Sequence, residues 1–178
     1  MPTALVSRID LDLIYPPFLR SVLDVLAELQ AGGADFVATF GLRSFSEQAT
    51  LYFAGRTMPG PVVTNAPPGY SCHNYGLAID LVRDFDIKRP GLQPVWTTGS
   101  YGVLKLIGEK HGLQVGVPGV SGGDPGHVQV PLTKIFGTKE KAVLERLKEI
   151  RARGGLPAVW AFLDKATEQK PADQQPNV

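Results

Sequence analysis

The segment from Ser71 to Asp80 places a histidine and a carboxylate where metal chemistry could use both. From Leu77 onward, apolar residues alternate with small or acidic ones, which is typical of a half-buried strand and turns Asp80 away from the hydrophobic face. Gly76 lies between His73 and this strand and permits a turn that brings the imidazole back beside the carboxylate. We therefore expect His73 and Asp80 to act on the same metal ion.

Another histidine, His127, follows a stretch rich in glycine and proline and begins an apolar, β-branched strand. Two imidazoles and one carboxylate make a three-ligand zinc site whose fourth position is open to water. We predict that His73, Asp80 and His127 hold one Zn²⁺ ion. Zinc held in this way is a Lewis acid and lowers the pKa of its water to about 7, which is the chemistry of hydrolysis.

The pattern Ser-x-His-x-x-Gly-x-Ala-x-Asp at 71–80, followed by acid-x-x-His at 124–127, resembles the zinc peptidases of the D-Ala-D-Ala carboxypeptidase and dipeptidase superfamily. The run 41–56 resembles most closely its L-alanyl-D-glutamate peptidase branch, which includes many phage endolysins. The resemblance covers residues 35–130. It implies an α+β fold with a mostly antiparallel sheet flanked by helices, as in D-Ala-D-Ala peptidases and the hedgehog signalling domain.

Asp124 and Arg43 are the predicted catalytic residues. Asp124 precedes His127 by three residues, so a turn can bring its carboxylate near the metal to act as a general base without becoming a ligand. Arg43 keeps its charge at working pH and, as in the family it resembles, would stabilise the oxyanion at the scissile carbonyl. The alternatives are that Asp124 only shapes the turn before Pro125 and that Arg43 only pairs with Glu47.

Ser71, Gln48 and Tyr52 are the predicted substrate-binding residues. In an extended chain Ser71 would lie on the same side as His73, where it could bind substrate or hold a ligand, or it has no special role. Gln48 and Tyr52 lie one turn apart on a short helix, where they either line the cleft or pack against the core.

Cys72 and His111 have simpler interpretations. A single free cysteine usually packs as a small hydrophobe, and the alternative for Cys72 is a metal or redox role. His111 precedes a glycine at a predicted helix end, where an imidazolium is favoured by the last carbonyls and the helix dipole.

Composition limits the partners and the compartment. Eighteen basic and seventeen acidic residues leave a net charge of +1, which gives no reason to expect nucleic acid as a partner. The one cysteine excludes an internal disulfide. The N-terminus resembles no signal peptide and no apolar run could span a membrane, so we expect no membrane partner and synthesis in the cytoplasm. A wall enzyme of this kind would reach its substrate after holin-type release, as a phage or prophage endolysin.

The length fits one catalytic domain over 1–168, which we expect to be a monomer, with a disordered tail over 169–178. Residues 1–15 suggest a short strand or an extended arm. Helices are predicted over 16–32, 45–54, from about 103 to 112, 138–153 and from 157 onward. Strands are predicted over 36–42, from 77 to about 81, over 113–117 and from 127, while 57–70, 84–100 and 118–126 are predicted to be irregular.

We expect the chain to hydrolyse an amide in the peptide stem of peptidoglycan, and the L-Ala-D-Glu bond fits the resemblance best. The flanking loops, 57–70 and 118–126, have few bulky residues, and Arg56 at the edge of one and Asp124 in the other are their charges. This favours a cleft open on both sides over a closed end with a cation for a terminal carboxylate. The alternatives are a D,D-carboxypeptidase or dipeptidase and, in a different class, a non-catalytic zinc-stabilised binding module.

Overall fold

The computed structural model describes residues 6, 8–116 and 124–169. A five-stranded antiparallel sheet packs against helices, which is the α+β class expected. The helices are α1 (Pro16–Ala31), α2 (Phe45–Phe53), α3 (Gly102–Lys110), α4 (Leu132–Phe136) and α5 (Glu140–Glu168). The strands are β1 (Phe36–Phe40), β2 (Ala78–Asp84), β3 (Pro94–Val95), β4 (Gln114–Val115) and β5 (His127–Gln129).

The sheet has the strand order β1-β2-β5-β4, and β3 pairs with the far end of β2. In the central strand β2, Asp80 lies opposite Phe40 of β1 and His127 of β5. The register of β1 shifts between Ala38 and Phe40, and the hydroxyl of the intervening Thr39 donates to the backbone oxygen of Asp80 at 3.2 Å. Such an irregularity bends a strand locally and re-aims its side chains, here at the position of the carboxylate.

The core lies between the sheet and the two long helices. The inward face of α1 is formed by apolar residues at helical spacing, namely Phe18, Val22, Val25, Leu26 and Leu29. The buried residues of α5 are Val143, Leu144, Leu147, Val159 and Leu163. Burial of such side chains contributes about 1.5–3 kcal/mol each, so these helices fix the sheet behind the predicted site.

Two glycines are required by close backbone contacts. Gly76 has φ of 68°, and a Cβ atom there would lie 2.3 Å from the carbonyl oxygen of Leu13. A Cβ at Gly126 would lie 2.3 Å from the backbone oxygen of Leu81. Both glycines adjoin the site, since Gly76 ends the turn that carries His73 and Gly126 precedes β5. A side chain at either position would displace the segment that holds an imidazole.

Most predicted elements are confirmed, with three differences. Residues 11–13 form a 3-10 turn capped by Asp10, and not a strand, because the aspartate side chain accepts from the backbone two residues on. The predicted irregular segment 84–100 contains the short strand β3. Helix α4 was not predicted. The predicted break between the helices 138–153 and from 157 is confirmed, because the backbone within α5 is non-helical at Gly154 and Gly155.

Some predictions fall outside the described residues. These are the tail beyond residue 169 and residues 117–123 of the glycine- and proline-rich segment before His127. None of the described helices is long and apolar enough to cross a membrane.

Candidate metal centre and cleft

The three predicted metal ligands converge at one point. Asp80 stands in the centre of the sheet, and the Oδ1 atom of its carboxylate lies 3.1 Å from His73 Nε2 and 3.1 Å from His127 Nδ1. His73 comes from the 3-10 turn Cys72–Tyr75, which the left-handed Gly76 closes, as the sequence predicted. Both imidazoles are buried, and all three ligand atoms lie within 4.8 Å of one another.

Each imidazole has its other nitrogen bound to an acceptor. His73 Nδ1 lies 2.8 Å from the backbone oxygen of Gly41, and His127 Nε2 lies 2.8 Å from Oε1 of Gln129. A carbonyl oxygen can only accept, so those two nitrogens carry the hydrogen atoms. In the neutral rings, His73 Nε2 and His127 Nδ1 are therefore lone pairs, and both face Asp80.

This donor set fits a metal ion. Two nitrogen lone pairs and a carboxylate oxygen face one another, an arrangement that repels itself unless a cation lies between them. The 3.1 Å separations from Asp80 Oδ1 are close to the ~3.3 Å edge of a tetrahedron with bonds of ~2.0 Å, as zinc requires. The atoms of His73, Asp80 and His127 therefore suit a three-ligand zinc site with one position left for water.

The charges of the cluster have coupled effects. Burial alone would raise the pKa of Asp80, but His127 and His73, which donate to this carboxylate when their rings are protonated, outweigh burial and hold the pKa well below its usual range. Burial lowers the pKa of His127, but its contacts with Asp80 more than compensate, so the net shift is upward. A carboxylate that stays ionised beside two imidazoles is an effective cation ligand.

Arg43 is held at the edge of this cluster from several sides. Its Nη2 atom lies 3.8 Å from Asp80 Oδ2, and its Nη1 atom donates to Gln48 Oε1 at 3.0 Å. Its backbone N–H donates to the oxygen of His73 at 3.0 Å. The alternative partner Glu47 instead completes the predicted capping box, where its Oε2 atom accepts from the backbone and the hydroxyl of Ser44.

The predicted substrate-binding residues occupy different environments. Gln48 is fully buried and bridges Arg43 to the backbone oxygen of Ala66, to which it donates at 2.8 Å. Tyr52 packs its ring against Arg56, whose guanidinium carbon lies 4.3 Å from the ring centroid. Ser71 lines the cleft. The structure thus places Ser71 in the lining of the cleft that contains the cluster, bonds Gln48 to Arg43 and leaves Tyr52 outside that lining.

Asp124 lines the same cleft as the metal cluster and is not one of its three convergent ligands. Its backbone oxygen accepts from His127 N–H at 3.2 Å, which forms the turn before β5. The residue is exposed overall, yet partial burial of the carboxylate and the charge of Asp80 raise its pKa. A carboxylate with a raised pKa, next to a metal-binding cluster, suits proton transfer.

The cleft has a volume of about 790 Å³ and extends along the loop 57–70. Its apolar wall includes Phe40, Val62 and Val63, which are all exposed. Beyond Tyr70 lies a second hollow of about 550 Å³ that includes Lys141. The two hollows share four lining residues and therefore adjoin each other; these residues are Asn65, Ala66, Tyr70 and Glu140.

Sequence reasoning missed three residues that support the site. Asn74 is fully buried, and its amide nitrogen donates to the backbone oxygens of Arg43 and Ser44 at 2.9 and 3.3 Å. Gln129 accepts from His127 and donates to Glu140 Oε2 at 2.7 Å. The alternation of a strand could have indicated Gln129, two residues after the histidine on the same face, whereas nothing local indicates Glu140.

The two remaining candidates lie apart from the chemistry. Burial raises the pKa of the Cys72 thiol, which disfavours the thiolate that a metal or redox role requires. His111 lies at the C-terminal end of α3, as predicted, and its Nε2 atom lies 2.8 Å from Glu28 Oε2 on α1.

The fold and this cluster define an α+β domain with a His–Asp–His cluster that could hold a metal ion in an open cleft. Residues 15–102 match the VanY family of D-alanyl-D-alanine carboxypeptidases. The peptidoglycan L-alanyl-D-glutamate endopeptidase CwlK of Bacillus subtilis (strain 168) is 51% identical over 66 residues, which are 36% of this chain and 40% of that protein. The family match agrees with the resemblance that the motif predicted and covers just under half of this chain, and the part aligned with CwlK is about two fifths of that relative's length.

Two solved structures resemble the chain. One is the L-Ala D-Glu endopeptidase ChiX of Serratia marcescens, with a TM-score of 0.48 and 20% identity, covering 69% of this chain and 84% of ChiX. The other is the L,D-carboxypeptidase DacB of Streptococcus pneumoniae, with a TM-score of 0.48 and 19% identity, covering 75% of this chain and 72% of DacB.

Proposed function

We propose that this protein is a zinc-dependent peptidoglycan hydrolase that cleaves the L-Ala-D-Glu amide of the peptide stem. The observation that carries the proposal is the convergence of His73, Asp80 and His127 on one point of a cleft that Arg43 and Asp124 also line. The 51% identity to an endopeptidase with this specificity, over 66 residues, supports the choice of bond.

The residues around the cluster have separate roles in this proposal. Zinc bound by the three ligands supplies a Lewis acid and a nucleophile at neutral pH. Asp124 takes a proton from the attacking water and returns it to the leaving amine. Arg43 donates hydrogen bonds to the scissile carbonyl oxygen as negative charge develops on it. Gln48 and Asp80 keep the guanidinium in place through the contacts at 3.0 and 3.8 Å.

The shape and charge of the cleft favour an endopeptidase. An L-Ala-D-Glu bond lies inside a chain that continues to the glycan on one side and to the rest of the stem on the other, so both ends of the cleft must be open. The cleft continues past Tyr70 into the second hollow. Arg56, a possible carboxylate partner in the sequence, is occupied by the backbone oxygens of Tyr52 and Thr64 and by Asn65 Oδ1.

A D,D-carboxypeptidase is the second candidate, because the matching family carries that activity in its name. Such an enzyme holds the terminal carboxylate of its substrate with a cation. Among the residues that line the second hollow, Lys141 is the lysine that could bind such a carboxylate.

Analysis of the products separates these functions. Purified peptidoglycan is digested with the zinc-loaded protein, and the fragments are identified by mass spectrometry. We expect new N-terminal D-Glu and muramyl-L-Ala ends. Release of D-Ala alone would assign the carboxypeptidase, and a zinc-binding protein that releases nothing would be a non-catalytic module.

The setting we propose is host lysis by a phage or prophage, in keeping with the endolysins of the branch that the motif resembles. The clearing of a suspension of outer-membrane-stripped cells tests it, since detaching peptides from glycan weakens the wall. Unchanged turbidity, despite cleavage of purified peptidoglycan, would point to a different setting.

A further inference from the structure

Beside the metal cluster, a chain of hydrogen-bonded side chains leads from His127 through the buried Gln129 to the half-buried Glu140 in the first turn of α5. His127 Nε2 lies 2.8 Å from Gln129 Oε1, and Gln129 Nε2 lies 2.7 Å from Glu140 Oε2. His127 and Gln129 are 7% and 5% exposed, so water does not easily replace the bond between them. The two contacts use both ends of one amide.

The chemistry of Glu140 decides which atoms donate and which accept in these hydrogen bonds. A carboxylate only accepts hydrogen bonds, so the amide nitrogen of Gln129 must face Glu140. The amide oxygen of Gln129 then faces His127 and requires a hydrogen on Nε2 of the ring. The Nδ1 atom is thereby left as a lone pair, 3.1 Å from Asp80 Oδ1.

We propose that Gln129 and Glu140 are positioning residues that select the Nε2–H tautomer of His127 and so raise the affinity of the site for zinc. This proposal rests on the proposed function, because it concerns the same metal site. Partners of this kind orient a metal-binding imidazole and strengthen its basicity, and their loss typically lowers metal affinity by about 10- to 100-fold.

A reversal of the charge at position 140 tests the direction of these hydrogen bonds. In Glu140→Lys the ammonium only donates, so the amide of Gln129 should turn and present its nitrogen to His127. The ring then favours a hydrogen on Nδ1, where zinc must bind. We expect zinc affinity, measured by competition with a chromogenic chelator, to fall by about 10- to 100-fold.

Two further variants separate this effect from bulk charge. Glu145→Lys makes the same charge change on an exposed residue of α5 and should leave zinc affinity within about 2-fold of wild type. Combining Gln129→Glu with Glu140→Lys gives His127 a carboxylate acceptor again, and the new lysine pairs with that carboxylate. We expect this double variant to recover most of the lost affinity.

The tautomer can be measured without any metal. Nitrogen-15 NMR of the imidazole rings in the metal-free protein, at a pH where they are neutral, distinguishes Nε2–H from Nδ1–H. We expect Nε2–H for His127 in the wild type and a shift toward Nδ1–H in Glu140→Lys, with circular dichroism showing that the variants fold.

Several results would overturn the proposal. These are a wild-type His127 with its hydrogen on Nδ1, a Glu140→Lys protein that binds zinc like wild type, and an equal loss in Glu145→Lys. The proposed function fails independently if zinc binds and the tautomer measurements hold as expected but peptidoglycan is not cleaved, whereas a wild type that binds no zinc would overturn both proposals.

Discussion

His73 and His127 lie at the same distance, 3.1 Å, from Asp80 Oδ1, but their two segments support them differently. The His73 ring donates to a backbone oxygen, that of Gly41. The His127 ring donates to the side chain of Gln129, which depends in turn on Glu140. One imidazole is oriented by the main chain and the other by two replaceable side chains.

The His73 segment, which is the 3-10 turn Cys72–Tyr75 with Gly76, also accepts hydrogen bonds from α5. The guanidinium of Arg151 donates to the backbone oxygen of Asn74, and Trp160 Nε1 donates to that of Tyr75 at 3.0 Å. The contrast teaches that the first imidazole depends on the integrity of the fold, whereas the second can be adjusted by single substitutions that leave the fold intact.

The largest effect we expect comes from removing either imidazole. Both losses should be equally severe, whichever way the ring is supported. His73→Ala and His127→Ala should each lower zinc affinity by more than the ~10- to 100-fold that an outer partner contributes. Activity should fall to that of the zinc-free protein, and thermal stability should fall too, since metal binding is coupled to folding. Metal analysis, hydrolysis assays and thermal melts measure these effects.

The third histidine is the control for that pair. His111→Ala removes an imidazole from the end of α3, where it contacts Glu28 on α1. It should bind zinc and hydrolyse peptidoglycan as wild type does. A variant of His73 or His127 that keeps both zinc and activity would remove that residue from the ligand set.

Asp124 extends the contrast, because it lies in the His127 segment but does not converge with the ligands. Asp124→Asn should retain zinc while the hydrolysis rate falls by about 10² to 10⁴, since only proton transfer is lost. Asp80→Asn is the matched variant and should lose zinc. If the two variants lose zinc equally, Asp124 is a ligand; if Asp124→Asn keeps its full rate, it only shapes the turn.

Arg43 extends the contrast on the side of the His73 segment. Arg43→Ala should keep the metal and lower kcat by about 10² to 10³, because the developing oxyanion loses its donor. Arg43→Lys retains the charge without the fork of donors and should recover part of the rate. An Arg43→Ala protein with wild-type kcat would exclude the oxyanion role.

Gln48 should give a smaller effect of the same kind. It bridges Arg43 to Ala66, so Gln48→Leu leaves the guanidinium without one partner. A hydrogen bond to a charged group is worth about 1.5–3 kcal/mol, and we expect roughly a 10-fold loss in kcat with zinc retained. Tyr52→Phe, on the same helix but outside the cleft lining, should have no such effect. A rise in KM with unchanged kcat would instead indicate substrate binding by Gln48.

The smallest effect concerns the rear support of the His73 segment. Tyr15 N–H donates to Gly76 O at 3.0 Å, and the Tyr15 hydroxyl donates to Asp164 at 2.6 Å. Burial and the Asp164 carboxylate raise the pKa of Tyr15 above its ordinary value of about 10. Its contribution to stability is therefore complete below pH ~10 and is lost as the pH rises toward the folded-state pKa.

Tyr15→Phe should consequently reduce stability near neutral pH by about 1 kcal/mol and make stability fall less steeply above pH ~10. Denaturant unfolding at several pH values measures both effects, and zinc affinity at neutral pH should not change. A large loss of zinc affinity would mean that the rear of the segment controls the metal site directly.

The sequence alone determined which side chains form the His–Asp–His cluster. The motif at 71–80 fixed the order histidine, glycine, aspartate, and a turn at Gly76 followed by a strand is enough to bring the first and last together. The capping box at Ser44, the helix over 16–31 and the break at Gly154 and Gly155 were equally readable, because caps, periodicity and glycines act within a few residues.

Only the tertiary structure decided how those side chains are held. Glu140 is eleven residues from Gln129 and on another element, so its contact depends on how α5 packs against the sheet. Gln48 was predicted on the right helix, but its bonds to Arg43 and to the backbone oxygen of Ala66 join segments that no local pattern relates. A local pattern specifies which face a residue occupies, whereas its partner across space, and with it the tautomer of each imidazole, is set by packing between distant segments.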